Sequence, residues 1–289
     1  MPASGGRRPH DSERIAVLAG FIDEDVHDSC QDAHDWPVLH GMQRAVSPVG
    51  RHSEGLWSLP PTVGSGAQLR GRTFRHDEEG DLVSKLLVIR AHPLTSENSK
   101  SMRLTDAFLK TYVETHPDDD VIDQNLYNIA IPEIDLDLFS AWGKLREGMP
   151  FVRLHEAEQS KLTLFEGYTT QFLNMDKIVI ANPLWNLQVP TRLKAWIDCI
   201  CVAGKTFRYN EQGEAVGLVH GKKALHIQAA GGVFNSQDPA SQYLRTMLGF
   251  IGIDDYTEIA AEGMDHDPAR SDEIMAAAFA KVEEAAATF

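Results

Sequence analysis

The sequence predicts an α/β fold in which a doubly wound, five-stranded parallel sheet carries helices on both faces. From Val83 onward, short runs of β-branched residues alternate with longer amphipathic runs, which is the pattern of strands joined by crossover helices. The residues before Val83 show no sustained hydrophobic period and are rich in glycine. The periodic part of the chain, residues 83–289, is therefore expected to fold as one domain.

Strands and helices are expected to alternate along this domain. The predicted strands are Lys85–Arg90, Asp120–Gln124, Lys177–Ala181, Lys223–Gln228 and Tyr256–Ala260. The predicted helices are Ser99–Thr115, Leu162–Asn174, Pro190–Val202, Tyr243–Ile251 and Pro268–Ala287. Ligands of such sheets bind beyond the carboxyl ends of the strands, so the residues that follow each strand are the most informative.

Residues 1–82 have a different composition from the rest of the chain. They contain arginine but no lysine, and stretches such as Met1–Gly6 and Leu59–Gly66 consist largely of residues that interrupt regular structure. We expect a largely disordered N-terminal extension. Two origins remain open: the native protein starts near Val83, or residues 1–82 are a genuine regulatory or partner-binding tail.

Composition excludes several classes of partner. The chain of 289 residues has 27 Lys and Arg against 42 Asp and Glu, which gives a formal net charge of −15 and disfavours binding to nucleic acid or anionic membranes. No run approaches the ~18 apolar residues that a spanning helix needs. Three cysteines are too few for a disulfide framework, so a cytoplasmic location is expected. No cluster has convincing metal-ligand spacing, and no metal site is predicted.

The loop after the first strand has the parts of an anion site. It runs from Ala91 to Ser101 and opens a helix, whose first N–H groups carry partial positive charge. Ser99 and Ser101 add hydroxyl groups, and Lys100 adds a positive charge. The alternative is that one serine caps the helix and the others are ordinary loop residues. The loop contains neither the G-x-G-x-x-G motif of dinucleotide-binding folds nor the G-x-x-x-x-G-K motif of nucleoside-triphosphate-binding loops.

Two further loops complete a candidate ligand site. The loop after the third strand, Pro183–Pro190, is apolar and aromatic, and it is suited either to lie against a planar ring or to plug the top of the core. The loop after the fourth strand contains Gly231 and Gly232, which permit close approach of the backbone to a ligand. All three loops emerge at one edge of the sheet. A phosphate seat, an aromatic shelf and a turn with exposed amides together match flavin mononucleotide (FMN).

The same stretches resemble a known family. Residues 83–289 are similar to the FMN-dependent NADH:quinone reductases and azoreductases of bacteria, which are flavodoxin-like proteins. The stretches that carry the resemblance are Pro183–Leu187, Leu193–Asp198, Ala203–Tyr209, Gly231–Gly232, Leu248–Ile253 and Ala261–Gly263.

The resemblance implies a set of site residues. The implied cofactor-binding residues are His92, Ser99, Lys100, Ser101, Pro183, Leu184, Trp185, Asn186, Leu187, Gln228, Ala229, Ala230, Gly231 and Gly232. Phe207 and Tyr209 match aromatic positions on the substrate side. Ala91 stands where some members carry a serine, and Ala230 stands where many carry an arginine.

The resemblance also implies the reaction. NADH or NADPH is the expected reductant and a quinone or an azo compound the acceptor, in a ping-pong sequence whose hydride passes through flavin N5 without a catalytic side chain. The family is homodimeric, with the flavin at the subunit boundary. His226, Cys199 and Cys201 are interpreted as structural. The rival interpretation is a flavodoxin-like FMN electron carrier that acts on a protein partner, with which the acidic charge is also compatible.

Overall fold

A computed structural model describes residues 83–289, which form a five-stranded parallel sheet. Its strands are β1 Lys85–Arg90, β2 Asp120–Asn125, β3 Lys177–Pro183, β6 Lys223–Ala230 and β7 Asp255–Glu262. Between β3 and β6 the chain forms an antiparallel hairpin of β4 Phe207–Tyr209 and β5 Ala215–Gly217. The sheet order is β2-β1-β3-β6-β7, so the winding direction reverses between β1 and β3.

Within residues 83–289, six α-helices cover the two faces of this sheet. They are α1 Lys100–Thr115, α2 Leu136–Arg146, α3 Glu156–Leu173, α4 Thr191–Ile200, α5 Pro239–Ile251 and α6 Ser271–Thr288. Helices α1 and α6 bury their apolar residues on one face. The other four helices pack on the opposite face around Trp196, which is fully buried. Both faces of the sheet are covered, which explains the nearly continuous apolar runs of β1 and β3.

The predicted fold class is confirmed, because all five predicted strands and all five predicted helices are present. The clearest error is the omission of α2 and of the β4–β5 hairpin. Helix α2 leaves Leu136 and Phe139 largely exposed, so its apolar residues do not mark a single buried face. The hairpin strands have only three residues each, too few for an alternating pattern to stand out.

Two helices begin earlier than predicted. Helix α5 starts at Pro239 behind the N-cap Asp238, whose side chain accepts a hydrogen bond from the Ser241 amide. Helix α3 starts at Glu156, and its first turn is polar. In this turn the Glu158 side chain bends back and accepts a hydrogen bond from the amide of the N-cap residue, His155. Both helix starts are marked by capping residues, whereas the apolar periodicity that placed the predicted starts begins several residues later.

Glu158 should make the fold sensitive to acid. Its carboxylate accepts hydrogen bonds from Lys144 Nζ and Ser140 Oγ, both at 2.6 Å, and from the His155 amide at 2.9 Å. The Lys144 ammonium, followed by these other donors, lowers the pKa of Glu158 to about 2. Because an unfolded Glu titrates near pH ~4.3, this stabilisation is complete above that pH and is lost as the pH falls towards 2.

We therefore expect Glu158→Gln to lose less stability than the wild type between pH 7 and pH 3. Urea unfolding at the two pH values measures the difference. Glu114→Gln, on the exposed side of α1, is the matched control and should behave as the wild type does. Equal acid sensitivity in the wild type and Glu158→Gln would contradict the assignment.

The prediction of a disordered extension falls on residues 1–82, which lie outside the described residues. None of the helices within residues 83–289 combines the length and the apolar character that crossing a bilayer requires.

Candidate flavin site

The three loops of the candidate site lie side by side at one edge of the sheet. Strands β1, β3 and β6 are neighbours and parallel, so their carboxyl ends meet there. The loop after β1 leads into α1, the loop after β3 leads into α4, and the loop after β6 leads into α5. The first two flank the point where the strand order reverses, which is where open α/β sheets bind ligands and where flavodoxins hold FMN.

The start of α1 offers unpaired backbone donors. Ser99 is the N-cap, and its hydroxyl accepts from the Met102 amide at 3.4 Å and lies 3.2 Å from Ser101 Oγ. Both serine side chains are buried. The amides of Lys100 and Ser101 have no acceptor among residues 83–289. The free amides at the start of this 16-residue helix are suited to bind an anion. The Lys100 ammonium lies 3.9 Å from Asp265 Oδ1 and is 40% exposed. Ser99 caps the helix, and this role is compatible with a contact to an anion.

His92 connects the loop after β1 with the loop after β3. Its ring centroid lies 5.2 Å from that of Trp185, and its carbonyl accepts from Asn125 Nδ2 at 3.0 Å. Nδ1 accepts from the Leu94 amide at 2.9 Å. Burial lowers the pKa of His92 below its usual range, so the ring is neutral at pH 7 and carries its proton on Nε2. His92 acts here as a spacer between the loops.

The loop after β3 contains a tight, strained turn. Trp185 and Gln188 exchange backbone hydrogen bonds of 3.2 and 2.9 Å, while Asn186 and Leu187 between them have φ of 50° and 62°. Positive φ at both central positions defines a type I′ turn, which favours glycine or asparagine. A leucine in this conformation is strained, and such strain is commonly found at ligand sites. Trp185 and Leu187 are 40% and 50% exposed. They do not plug the core and are available to a ligand.

The loop after β6 presents free amides. The carbonyls of Gly231 and Gly232 accept hydrogen bonds from the segment after β7, whereas their own N–H groups have no acceptor among residues 83–289. A Cβ on Gly231 would lie 2.0 Å from Asp265 Oδ2, and a Cβ on Gly232 would lie 2.9 Å from the Phe234 ring. A side chain at either position would thus displace Asp265 or the Phe234 ring, so the packing favours glycine here.

Gln228 takes a different role from the one expected. Its side chain is fully buried and bonds to Asn182 Nδ2 at 3.2 Å, to Asp238 Oδ2 at 2.9 Å and to Ser241 Oγ at 3.2 Å. Its side chain thus points into a polar network beneath the loops, and its backbone lies in β6 between Asn182 and Ala260. His226 belongs to the same network through Asn182 Oδ1 at 2.9 Å. Burial lowers the pKa of His226 to about 3, so it is neutral and structural.

Phe207 and Tyr209 lie away from the three loops of their own chain. Phe207 packs on Phe250 near the carboxyl end of α5, at a centroid distance of 4.6 Å, and Gly217 is pressed against Gly252. Because α5 starts at the carboxyl end of β6 and returns to the start of β7, this hairpin base lies at the edge where the strands begin. Tyr209 is 58% exposed there.

The two cysteines of the domain show no redox features. Cys199 is buried in the core, and Cys201 caps α4. Burial raises the pKa of both thiols to about 12, so both are protonated at neutral pH and are poor nucleophiles.

A doubly wound sheet with an amide-lined anion seat, an aromatic turn and a glycine turn at its switch point defines a flavodoxin-like nucleotide-binding protein. The family model described as a flavodoxin-like fold matches residues 84–286. Among curated proteins, the chain is 42% identical over 212 residues to an FMN-dependent NADH:quinone oxidoreductase of Bacillus cereus. This alignment covers 72% of this chain and 100% of that protein. It is 44% identical over 213 residues to the enzyme of that name from Geobacillus kaustophilus, with the same shares.

Solved structures agree with these relatives. An azoreductase from Bacillus anthracis superimposes with a TM-score of 0.67 at 33% identity, over 72% of this chain and 100% of that one. An FMN-dependent NADH-azoreductase from the same species, solved in complex with FMN, gives 0.65 at 34% identity, over 71% and 98%. The chain belongs to this family of FMN-dependent NADH:quinone oxidoreductases and azoreductases.

The residues present fit FMN. The donors at the start of α1 suit a phosphate, the exposed Trp185 and Leu187 suit a flat ring, and the free amides of Gly231 and Gly232 suit the acceptor atoms of a pyrimidine edge. Sequence reasoning missed the buried network around Asp238, and it missed that the Glu262 carboxylate accepts from three amides of the loop after β6. The capping pair of Asp238 and Pro239 was a readable signal for the former.

Proposed function

We propose that the protein reduces quinones and azo compounds with NADH or NADPH, using FMN held by the three loops. The observation that carries this proposal is the convergence of free amides from two loops with an exposed aromatic turn between them. When bound, FMN accepts a hydride and passes two electrons on. Within the described residues, the cysteines are protonated and the buried histidines are neutral, so the chain's contribution is binding and electrostatics.

The chain's own groups have distinct tasks in this proposal. The amides of Lys100 and Ser101 bind the phosphate, and the Lys100 ammonium offsets its charge. The turn at Trp185 supports one side of the ring and leaves the other open to NADH or the acceptor. The amides of Gly231 and Gly232 donate to the ring edge, where negative charge develops on reduction. This last contribution favours reduction itself, because it is stronger for the reduced state than for the oxidised one.

We also propose a homodimer in which the partner completes each site. Phe207 and Tyr209 lie far from the loops of their own chain, so they can contribute to a substrate pocket only at the site of a second copy. Leu136, Phe139 and Val152 are 82%, 63% and 79% exposed, which is unusual for apolar side chains and is consistent with a surface that a partner subunit covers.

We also propose a cytoplasmic location, with which the free thiols of Cys199 and Cys201 are compatible.

A stopped-flow experiment on the FMN-loaded full-length chain tests the activity. Anaerobic NADH should bleach the flavin absorbance before any acceptor is present, and a quinone added afterwards should restore it. Steady-state data should give parallel double-reciprocal lines. A chain that binds FMN but is reduced by neither NADH nor NADPH would favour the electron carrier, and a chain that binds no FMN would refute the site.

Mixing two impaired variants, at an FMN concentration that saturates the wild type but not Lys100→Glu, tests the shared site. Lys100→Glu damages the phosphate seat and Tyr209→Ala damages the substrate side. In a dimer with shared sites, a mixed dimer has one site with both defects and one intact site. Because half of the dimers are mixed after complete exchange of equal amounts, the activity of the mixture should rise to as much as about a quarter of that of the wild type. Absence of recovery after confirmed subunit exchange would contradict the arrangement.

A further inference from the structure

Glu262, the last residue of β7, collects three consecutive backbone amides of the loop after β6. Oε2 accepts from Phe234 at 2.7 Å and from Asn235 at 2.6 Å, and Oε1 accepts from Ser236 at 2.9 Å. The loop thus wraps around one carboxylate that comes from the neighbouring strand. None of the roles described above for the site explains this arrangement.

The loop needs this carboxylate because its backbone is strained. Asn235 and Ser236 have φ of 53° and 56°, a left-handed conformation that residues with a side chain rarely adopt. Three consecutive N–H groups that converge on one anion form a concave donor site, and hydrogen bonds to a charged acceptor are roughly twice as strong as neutral ones. The carboxylate therefore offsets the strain and selects this conformation of the loop.

The residues after Glu262 fix the adjoining glycine turn from the same side. The Gly263 amide donates to Ala230 O at 3.2 Å and to Gly232 O at 2.8 Å. The amides of Asp265 and His266 donate to Gly231 O at 3.0 and 3.2 Å. All three carbonyls of the turn therefore point towards the segment 263–266.

The direction of these carbonyls decides where the amides of the turn point. In a planar trans peptide, the C=O of one residue and the N–H of the next point in opposite directions. The bonds made by Ala230 O and Gly231 O therefore turn the N–H groups of Gly231 and Gly232 away from the segment 263–266. This explains why both amides are left without a partner among the described residues.

We propose that Glu262 is a positioning residue that holds the loop 231–236 so that the Gly231 and Gly232 amides are directed at the pyrimidine edge of the flavin. The inference rests on the proposed function. Glu262 touches no ligand and acts through the loop. Without its carboxylate the left-handed pair relaxes, the turn samples other conformations, and flavin binding must first select the competent one, which weakens apparent affinity in proportion to its population.

The test compares Glu262→Ala and Glu262→Gln with the wild-type full-length chain, and Glu114→Ala on the surface of α1 is the control. In the FMN-free protein, hydrogen exchange at residues 234–236 should accelerate in Glu262→Ala. Glu262→Gln keeps one acceptor oxygen and should show an intermediate rate. Fluorescence titration should show affinity for FMN reduced by at least about tenfold in Glu262→Ala, because three charge-assisted hydrogen bonds are lost.

Two further readouts separate positioning from a general loss of structure. Affinity for riboflavin should fall by the same factor as affinity for FMN, because the defect lies at the ring and not at the phosphate. The midpoint potential of bound FMN should also fall, since misdirected amides stabilise the negative reduced ring less. Glu114→Ala should change neither quantity.

The outcomes distinguish this inference from the proposed function. If the wild type binds FMN, and Glu262→Ala and Glu262→Gln match its affinity and potential, the role of Glu262 is overturned and the proposed function stands. If exchange at 234–236 is unchanged in both variants, the carboxylate does not hold the loop and the inference is overturned in the same way. If the wild type binds neither FMN nor riboflavin, the proposed function fails and the inference fails with it.

Discussion

Lys100→Glu is expected to weaken FMN binding by at least about tenfold while changing the stability of the fold by less than about 1 kcal/mol. Lys100 is the first residue of α1, and its side chain is 40% exposed. A glutamate at the start of a helix interacts favourably with the helix dipole, typically by about 0.3–1 kcal/mol. The same carboxylate repels a phosphate that carries nearly two negative charges at pH 7. The helix-dipole gain is opposed by the loss of the exposed ion pair between Lys100 and Asp265, which a glutamate replaces with two like charges. Affinity for FMN should therefore fall with little change in stability, which a simple folding defect would not produce.

Riboflavin supplies the matched control for this prediction, because it has the ring of FMN and lacks the phosphate. Its affinity should be the same in the wild type and in Lys100→Glu. The difference in FMN affinity should also shrink in 0.5 M salt, since the interaction is partly exposed and screened. Fluorescence titration of both ligands measures these effects. Equal losses for FMN and riboflavin would place Lys100 somewhere other than at the phosphate.

Asn182→Ala is expected to lower the free energy of unfolding by about 2–4 kcal/mol, because several buried polar partners are left without hydrogen bonds. Asn182 is fully buried at the end of β3, beside Gln228 on β6. Its amide nitrogen donates to Gln228 Oε1 at 3.2 Å and to Pro183 O at 3.0 Å, and its oxygen lies 2.9 Å from His226 Nε2. Removal of this side chain thus breaks the buried side-chain hydrogen bonds between β3 and β6, the strands that carry two of the three loops, while their backbone pairing remains.

Urea unfolding at pH 7 measures this loss, and Asn128→Ala in an exposed loop serves as the control that should change little. The network also has a pH signature. The folded pKa of His226, about 3, lies below the unfolded value near ~6.5, so the unfolded state binds the proton first. This part of the stability is complete above pH ~6.5 and is lost as the pH falls towards 3. If Asn182→Ala is as stable as Asn128→Ala at pH 7, the buried network contributes little to the free energy of unfolding.

The enzyme and the electron carrier share the same fold, so the fold alone does not separate them. The relatives at 42–44% identity are named as oxidoreductases of NADH and quinones, and they align over their whole length. The hairpin at Phe207 and Tyr209 provides a physical reason for the same choice. It adds exposed aromatic surface that suits a planar substrate, whereas a carrier needs an accessible ring edge for a protein partner.

Alternation of apolar runs was sufficient to predict the five-stranded sheet and the edge at which the ligand site lies. The rule that neighbouring parallel strands end together then brought Ser99, Trp185 and Gly231 to one place. Capping chemistry was readable but was given too little weight at Asp238. The direction of individual side chains was not readable: Gln228 turned inward, and the serines of the first loop paired with each other.

The sequence by itself therefore determined the fold class, the order of loops around the site and the type of ligand, because these follow from periodicity and from local residue chemistry. Only the tertiary structure decided that Glu262 holds the loop 231–236, that Asn182 joins His226 to Gln228, and that Phe207 lies away from the loops of its own chain. The physical reason is that hydrogen bonds between residues distant in sequence depend on strand register and on peptide orientation. Strand register and peptide orientation produce no periodic pattern of residues in the sequence, and both are fixed only when the strands pair.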